Sequence, residues 1–175
     1  GANLQNANLS NASLDGANLS GANLQDANLS NANLNGANLS NSDLSNAKVN
    51  LSFMSFADLS DARLCQASLR GTTLNDAILK NADLNCADME GVILENANLS
   101  NALLNGKRIG KKYFLCNLRS AILKNANLSG AKLTSADLYN ADLSSANLTN
   151  ADLSGTEHGK DFHPCLLDSA ILDDA

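Results

Sequence analysis

A chain of 175 residues with a formal net charge of −6, 3% aromatic residues, no Trp and a single Pro cannot line an aromatic ligand pocket, and its interior must be aliphatic. No apolar run approaches the ~18 residues of a membrane-spanning helix, and no basic, apolar, small-residue leader precedes the first residues, so the expectation is a soluble chain, cytoplasmic rather than exported, with no membrane contact. Four scattered cysteines are too few for a secreted disulfide scaffold.

From Leu4 to Leu104, Leu or a close substitute recurs every five residues through 21 units, each time two positions after a small residue, as in Ala2-Asn3-Leu4-Gln5-Asn6. An amphipathic helix needs apolar residues at i, i+3, i+4 and i+7, and a half-buried strand needs alternation, so neither template fits. The chain must turn within every unit. With the leucine at position i, the residues at i−2 and i point inward and those at i−1, i+1 and i+2 point outward, which makes each pentad a short extended piece followed by a corner. Gly1, Gly16, Gly21, Gly36, Gly71, Gly91, Gly106, Gly130 and Gly155 all fall at i+2, and Asn or Asp fills most other i+2 sites. Those residues adopt turn geometry, positive φ included, at least cost.

The units ANLSN, ANLQD, ADLSD and ADLYN resemble the pentapeptide-repeat family, whose consensus is A(D/N)LXX, and the resemblance covers nearly the whole chain. It implies a right-handed quadrilateral β-helix with four pentads to a coil, leucines stacked in the core and the small i−2 residues beside them. It implies no particular activity, so function must be sought where the repeat is broken. Twenty-one units ending at Leu104, eight from Leu118 to Leu153 and two at Leu167 and Leu172 give 31 units, or about 7.75 coils and roughly 37 Å of rod at a ~4.8 Å strand spacing. The expectation is one continuous all-β solenoid domain over residues 1–175. Gly1 and Ala175 sit in mid-repeat, and uncovered end coils present unpaired backbone edges, so self-association through the end coils into a homo-oligomer is expected.

The first departure is KVNLSFMSFADLS. Val49 and Met54 keep the inward sites, but Leu51, Phe53 and Phe56 stand at i+2, i−1 and i+2, where Asn, Ser, Asp or Gly stand elsewhere. Three large apolar side chains on adjacent units then point outward, and one and two coils along the column of Phe53 come Thr73 and Ile93. Such a patch marks an interface, unless the rings fold down over the edge of the leucine core. Farther on, Cys65 at i+1 and Cys86 at i+2 lie outside on one face, one coil apart, and the narrow geometry of a disulfide argues against a bridge between them.

After Gly106 come nine residues, KRIGKKYFL, before Cys116-Asn117-Leu118 restores the pattern out of phase; after Gly155 come nine more, TEHGKDFHP, before Cys165-Leu166-Leu167. The two breaks are copies. Gly110 and Gly159, Lys111 and Lys160, Tyr113 and Phe162, Cys116 and Cys165, and Ser120-Ala121-Ile122-Leu123 and Ser169-Ala170-Ile171-Leu172 match at a spacing of 49 residues. Lys107 and Lys112 stand where the old register would require small inward residues, and an unpaired buried ammonium is prohibitively costly, so both segments are expected to loop out, over 107–115 and 156–164. With eight units between them, loops that add no face leave the same corner about 10 Å apart. Tyr113 and Phe162 then cover equivalent spots, and Cys116 and Cys165, inward at i−2, stack two coils apart, beyond the ~7 Å reach of a disulfide. His158, Asp161, His163 and Cys165 have the composition of metal ligands, but the first copy keeps the glycine, lysine, aromatic and cysteine without any histidine. What the copies share is structural, and no metal or cofactor is assigned.

Lys107, Arg108, Lys111 and Lys112 form the only dense positive charge, read either as a solvated loop or as a docking patch for an acidic partner. Direct nucleic-acid binding is disfavoured by the overall negative charge and the lack of a basic stripe with stacking aromatics. No nucleophile, base and orienting group can be grouped, so no catalytic residue is assigned. The reading is a non-catalytic protein-interaction scaffold, its candidate surface made of Leu51, Phe53, Phe56, Ile93, Lys107, Arg108, Lys111 and Lys112, its partner a protein of unknown identity. The alternative, from the family resemblance, is a DNA-mimicking binder of a type II topoisomerase. That role needs a continuous acidic face, and Lys48, Arg63, Arg70 and Lys80 interrupt the acidic middle of the chain.

Overall fold

The structure, a computed structural model, describes residues 1–110, 112–158 and 161–175, with the side chains of 156–158, 161 and 162 left aside. Each i−1 residue bridges in parallel to the residue one coil on: Asn3 to Asn23, Asn23 to Asp43, Asp43 to Arg63. A repeat distance of 20 residues, or four pentads, closes one turn of a four-sided β-helix. No helix is present among the described residues, and none is long and apolar enough to cross a membrane.

Five amides per pentad must find partners, and one unit shows where they go. Asn23 N–H donates to Ala2 O (2.9 Å) one coil back, Leu24 N–H to Asp43 O (2.7 Å) one coil forward, and Asp26 N–H to Ser45 O (3.1 Å). Ala27 N–H closes the corner onto Leu24 O at 3.1 Å. The fifth, Gln25 N–H, is taken by the side-chain Oδ1 of Asn23 at 3.1 Å. Each consensus position therefore has a physical reason. Ala at i−2 is small enough to sit beside the core, Asn or Asp at i−1 accepts the amide two residues on, Leu at i fills the interior, and the i+2 residue turns the corner in the left-handed region, as at Asn6 (φ 58°) and Gly16 (φ 63°).

The core is a continuous ladder of Ala and Leu, fully buried from Ala22 to Leu143, with Val49 and Met54 in the inward positions of their units. Leucines of the first and last coils are only partly buried. Four i−1 columns line the faces of the rod. The one that matters below runs Ser13, Asn33, Phe53, Thr73, Ile93, Ile122, Asp142, Ile171.

The two breaks in the repeat are not irregular loops. Lys107–Ile109 (β1) pairs antiparallel with Lys112–Phe114 (β2), and Thr156–His158 (β3) pairs with Asp161–His163 (β4). Around each hairpin the coil resumes without losing a face: Leu103 bridges Lys132 and Asp88 bridges Asn117, then Lys132 bridges Asp152 and Asp137 bridges Leu166. Both hairpins thus leave the same corner, two coils apart. Gly106, in phase with the other corner glycines, does not share their positive φ, because the chain departs there into a hairpin instead of turning. Gly106 is required for another reason: a Cβ on it would stand 2.8 Å from Tyr113 Cε1 and 3.1 Å from Ser135 O.

Candidate interaction surface

Residues 49–56 have the backbone path of any other pair of units and a different chemistry. Leu51 (φ 56°) and Phe56 (φ 61°) occupy left-handed corners, a conformation costing a residue with a bulky Cβ substituent ~1–2 kcal/mol. The turn that holds Leu51 is stretched: Ser52 N–H lies 3.4 Å from Val49 O, against 2.9 to 3.2 Å at every other pentad corner closed in this way. Two buried hydroxyls compensate, Ser52 Oγ (2.7 Å) and Thr72 Oγ1 (2.6 Å) both donating to Val49 O. These hydroxyls stand at i−2, where Ala is usual. Phe53, lacking a carboxamide, leaves Ser55 N–H without its usual acceptor, and Asn35 Oδ1 from the preceding coil accepts it at 2.9 Å.

The three side chains do not fold onto the core. Leu51 is 59%, Phe53 52% and Phe56 68% exposed. Leu51 leans one coil along, over Gly71 at φ +62°, where an added Cβ would meet Leu51 Cδ2 at 2.8 Å. Thr73 and Ile93 continue the column half-buried, as does Ile122. Ile122 escaped the sequence reading because the nine-residue insertion hides its alignment with Ile93. Ile78, on the adjoining face, is also exposed.

The basic cluster lies at a different corner of the rod, so the candidate residues form two groups. Lys107, Arg108 and Lys112 are exposed on the first hairpin, and Lys111 lies outside the described residues. Tyr113 packs over Gly106 and stacks on His163 of the second hairpin, ring centroids 3.9 Å apart and planes 6° from parallel. Ser135 Oγ donates to His163 O beneath them. The expected cover by Phe162 falls on a side chain outside the described ones, as do His158 and Asp161. No group of three or more His, Cys, Asp or Glu side chains is arranged to hold a metal ion among the described residues.

The thiols are arranged against reactivity. Cys65 and Cys86 are free, and burial together with a hydrogen bond to Asp83 pushes Cys65 up to about 12. Burial also raises Cys86, and raises Cys165 to about 11 and the fully buried Cys116 beyond that. Such thiols stay protonated at neutral pH and are poor nucleophiles.

Carboxylates on two faces are matched by bases from adjoining coils: Arg63 with Asp43 (3.7 Å), Arg70 with Asp88 (3.6 Å) and Glu90, Arg119 with Asp137 (3.2 Å), Lys132 with Asp152 (3.8 Å). The pairs with both partners exposed add little stability, while Asp137 is itself buried. Together the pairs break up the negative potential along those faces.

The sequence profile of pentapeptide repeats matches residues 1–28, 22–55, 57–96 and 115–150 in eight copies. Among solved structures, HetL from the cyanobacterium Nostoc sp. strain PCC 7120, a pentapeptide-repeat protein involved in heterocyst differentiation regulation, is 31% identical over 99% of this chain and 73% of its own, with a TM-score of 0.34. Full-length QnrB1, a plasmid-mediated fluoroquinolone resistance protein, is 22% identical over 96% of this chain and 84% of its own, with a TM-score of 0.59, a likeness of fold. No curated protein sequence matches. Members of the family form right-handed quadrilateral β-helices, and the chain belongs to the pentapeptide-repeat family.

Proposed function

We propose that this chain is a non-catalytic scaffold that binds a protein partner through the apolar patch of Leu51, Phe53 and Phe56 and the stripe through Thr73, Ile93 and Ile122. The carrying observation is the left-handed backbone at Leu51 and Phe56. A corner that Asn or Gly would turn without strain is occupied by large apolar side chains, half or more exposed. Large apolar side chains held at two left-handed corners and turned to solvent, where most corners carry Asn, Asp, Ser or Gly, carry a local cost that a binding role accounts for. A flat, rigid face also binds without losing much conformational entropy. The patch requires an apolar counterpart on the partner, rimmed by polar groups. Acidic mimicry of a nucleic acid fits less well, because the ion-pair ladders neutralise Asp43, Asp88, Glu90, Asp137 and Asp152.

The test uses variants that restore the repeat, Phe53→Asn and Phe56→Gly, in affinity capture from a native extract. A protein retained by the parent and lost by both variants, while their folds melt no lower, supports the reading. An unchanged set of captured proteins overturns it.

A further inference from the structure

We propose that the free edge of β1 takes an extended acidic segment of a partner protein as a third strand. This surface is separate from the apolar patch and does not depend on it. A groove of about 460 Å³ runs along the hairpin, bordered by all three residues of β1 and by none of β2. Its opposite wall is the corner of the coils beneath, with Cys65, Gln66, Asp83, Asn85 and Cys86. The strand edge facing this groove is therefore the one that β2 leaves open.

Antiparallel pairs alternate between those that exchange hydrogen bonds and those whose N–H and C=O point outward. Ile109 faces Lys112 next to the two-residue turn, Arg108 faces Tyr113 and Lys107 faces Phe114. A two-residue hairpin closes on a bonded pair, so the middle residue, Arg108, turns its amide and carbonyl away from β2. Neither group finds a backbone partner elsewhere among the described residues. An incoming strand would meet a donor and an acceptor at the spacing of an ordinary ladder, with the exposed Gln66 carboxamide across the groove.

Charge selects the segment. Lys107, Arg108 and Lys112 are exposed along the hairpin. The carboxylate on the facing wall, Asp83, already accepts Asn85 N–H at 3.2 Å and the Cys65 thiol. A positive edge repels its own counterpart on a second copy, which suppresses self-pairing, and it favours carboxylates on an incoming strand. The half-exposed side chain of Ile109 adds an apolar contact on the face that Lys107 shares.

The edge is also pre-set. An isolated two-stranded hairpin is marginal in water. Here the stack of Tyr113 on His163 and the packing of Tyr113 over Gly106 hold it against the rod. Little order remains to be imposed when a third strand arrives. Addition of a strand to an exposed edge is a recurrent mode of peptide recognition, in which the backbone supplies affinity and side chains supply choice.

The probe is a fluorescein-labelled octapeptide of alternating Glu and Val, followed by fluorescence anisotropy, with three controls: the Lys and Val counterpart, the same Glu and Val peptide N-methylated at alternate residues, and a single-stranded oligonucleotide. The full chain should bind the Glu and Val peptide, and N-methylation or reversal of charge should weaken binding about tenfold, the scale of one or two lost backbone hydrogen bonds. Amide exchange at Arg108 should slow on binding. Arg108→Pro removes the outward N–H without touching a ladder bond and should abolish binding, and Arg108→Gln should weaken it partially. Equal binding of the methylated peptide, equal binding of the oligonucleotide, or no binding at millimolar peptide would each overturn the proposal. If Arg108→Pro disturbs the hairpin, the methylated peptide on the parent chain still decides.

Discussion

Two successive coils of this rod, residues 22–41 and 42–61, share one backbone and diverge in what they show to solvent. The first turns its corners on Asp26, Asn31, Gly36 and Asn41, the second on Asn46, Leu51, Phe56 and Asp61, all left-handed. Beneath both lies the same fully buried ladder, Leu24, Leu29, Leu34 and Leu39 under the one, Leu44, Val49, Met54 and Leu59 under the other. The fold is therefore set from inside by two positions of the pentad. The outward positions are free to take a functional chemistry, at a local cost in backbone strain that the core can absorb.

The hardest break in that comparison is to the shared ladder. Leu64→Asp, one coil on, buries a carboxylate where no partner exists and should cost at least several kcal/mol. Melting followed by circular dichroism should show a fold that is lost or severely destabilised, and a melting point within a few degrees of the parent would refute the account of the core. Gly71→Ala is the next largest change. It places a Cβ at a left-handed corner and against Leu51, and should cost ~1–2 kcal/mol. Part of that cost comes from Leu51, so in a Leu51→Asn background the loss should shrink, a coupling measurable by a double-mutant cycle.

Restoring the repeat should work in the opposite direction. Leu51→Asn and Phe56→Gly should each stabilise by ~1 kcal/mol through relief of left-handed strain, raising Tm by ~2–4 °C in a chain of this size, while removing the apolar patch. Variants that melt lower would mean that the exposed side chains support the fold and carry no penalty. The smallest effect is one of pH. The Ser144 hydroxyl and backbone N–H hold the Asp142 carboxyl below its ordinary value, and Ser154 does the same for Asp152. A depressed folded pKa gives stability that is present above ~pH 4 and lost as pH falls through the folded value. Asp142→Asn keeps the acceptor and removes the titration, so the fall in Tm on acidification should be slightly shallower than in the parent.

Most of this architecture is legible in the pentad itself. Inward and outward positions and the left-handed corners follow from spacing and residue type. The departures are harder for definite reasons. Lys107 and Lys112 in inward phase show that the register must break, but three-residue strands are too short for any alternation to announce a hairpin. The contact between the copies is offset: Tyr113 aligns with Phe162 in sequence and stacks on His163, so matching the segments cannot reveal it. The exposure of Phe53 and Phe56 rests on the rotamers chosen at the surface, which the repeat does not dictate.

The acceptor that Asn35 lends to Ser55 has a wider consequence. Ser68, Leu103 and Lys132 stand where Asn or Asp is usual, and the amides two residues on, of Arg70, Asn105 and Thr134, are taken by Asn50, Asn85 and Asn105 of the coil before. Asn75 occupies the same relation to Ile93, and there its Oδ1 is buried without a partner. Repainting a face of such a rod is thus eased by a paired edit: at Phe53, Ser68, Leu103 and Lys132 an asparagine in the coil before takes over the acceptor's part, whereas Lys48, Arg63, Thr73 and Ile78 have Ser at that place. Anyone grafting a recognition surface onto this fold should change positions in such pairs, and a neutral Asn acquired first in the lower coil opens the way for the second change.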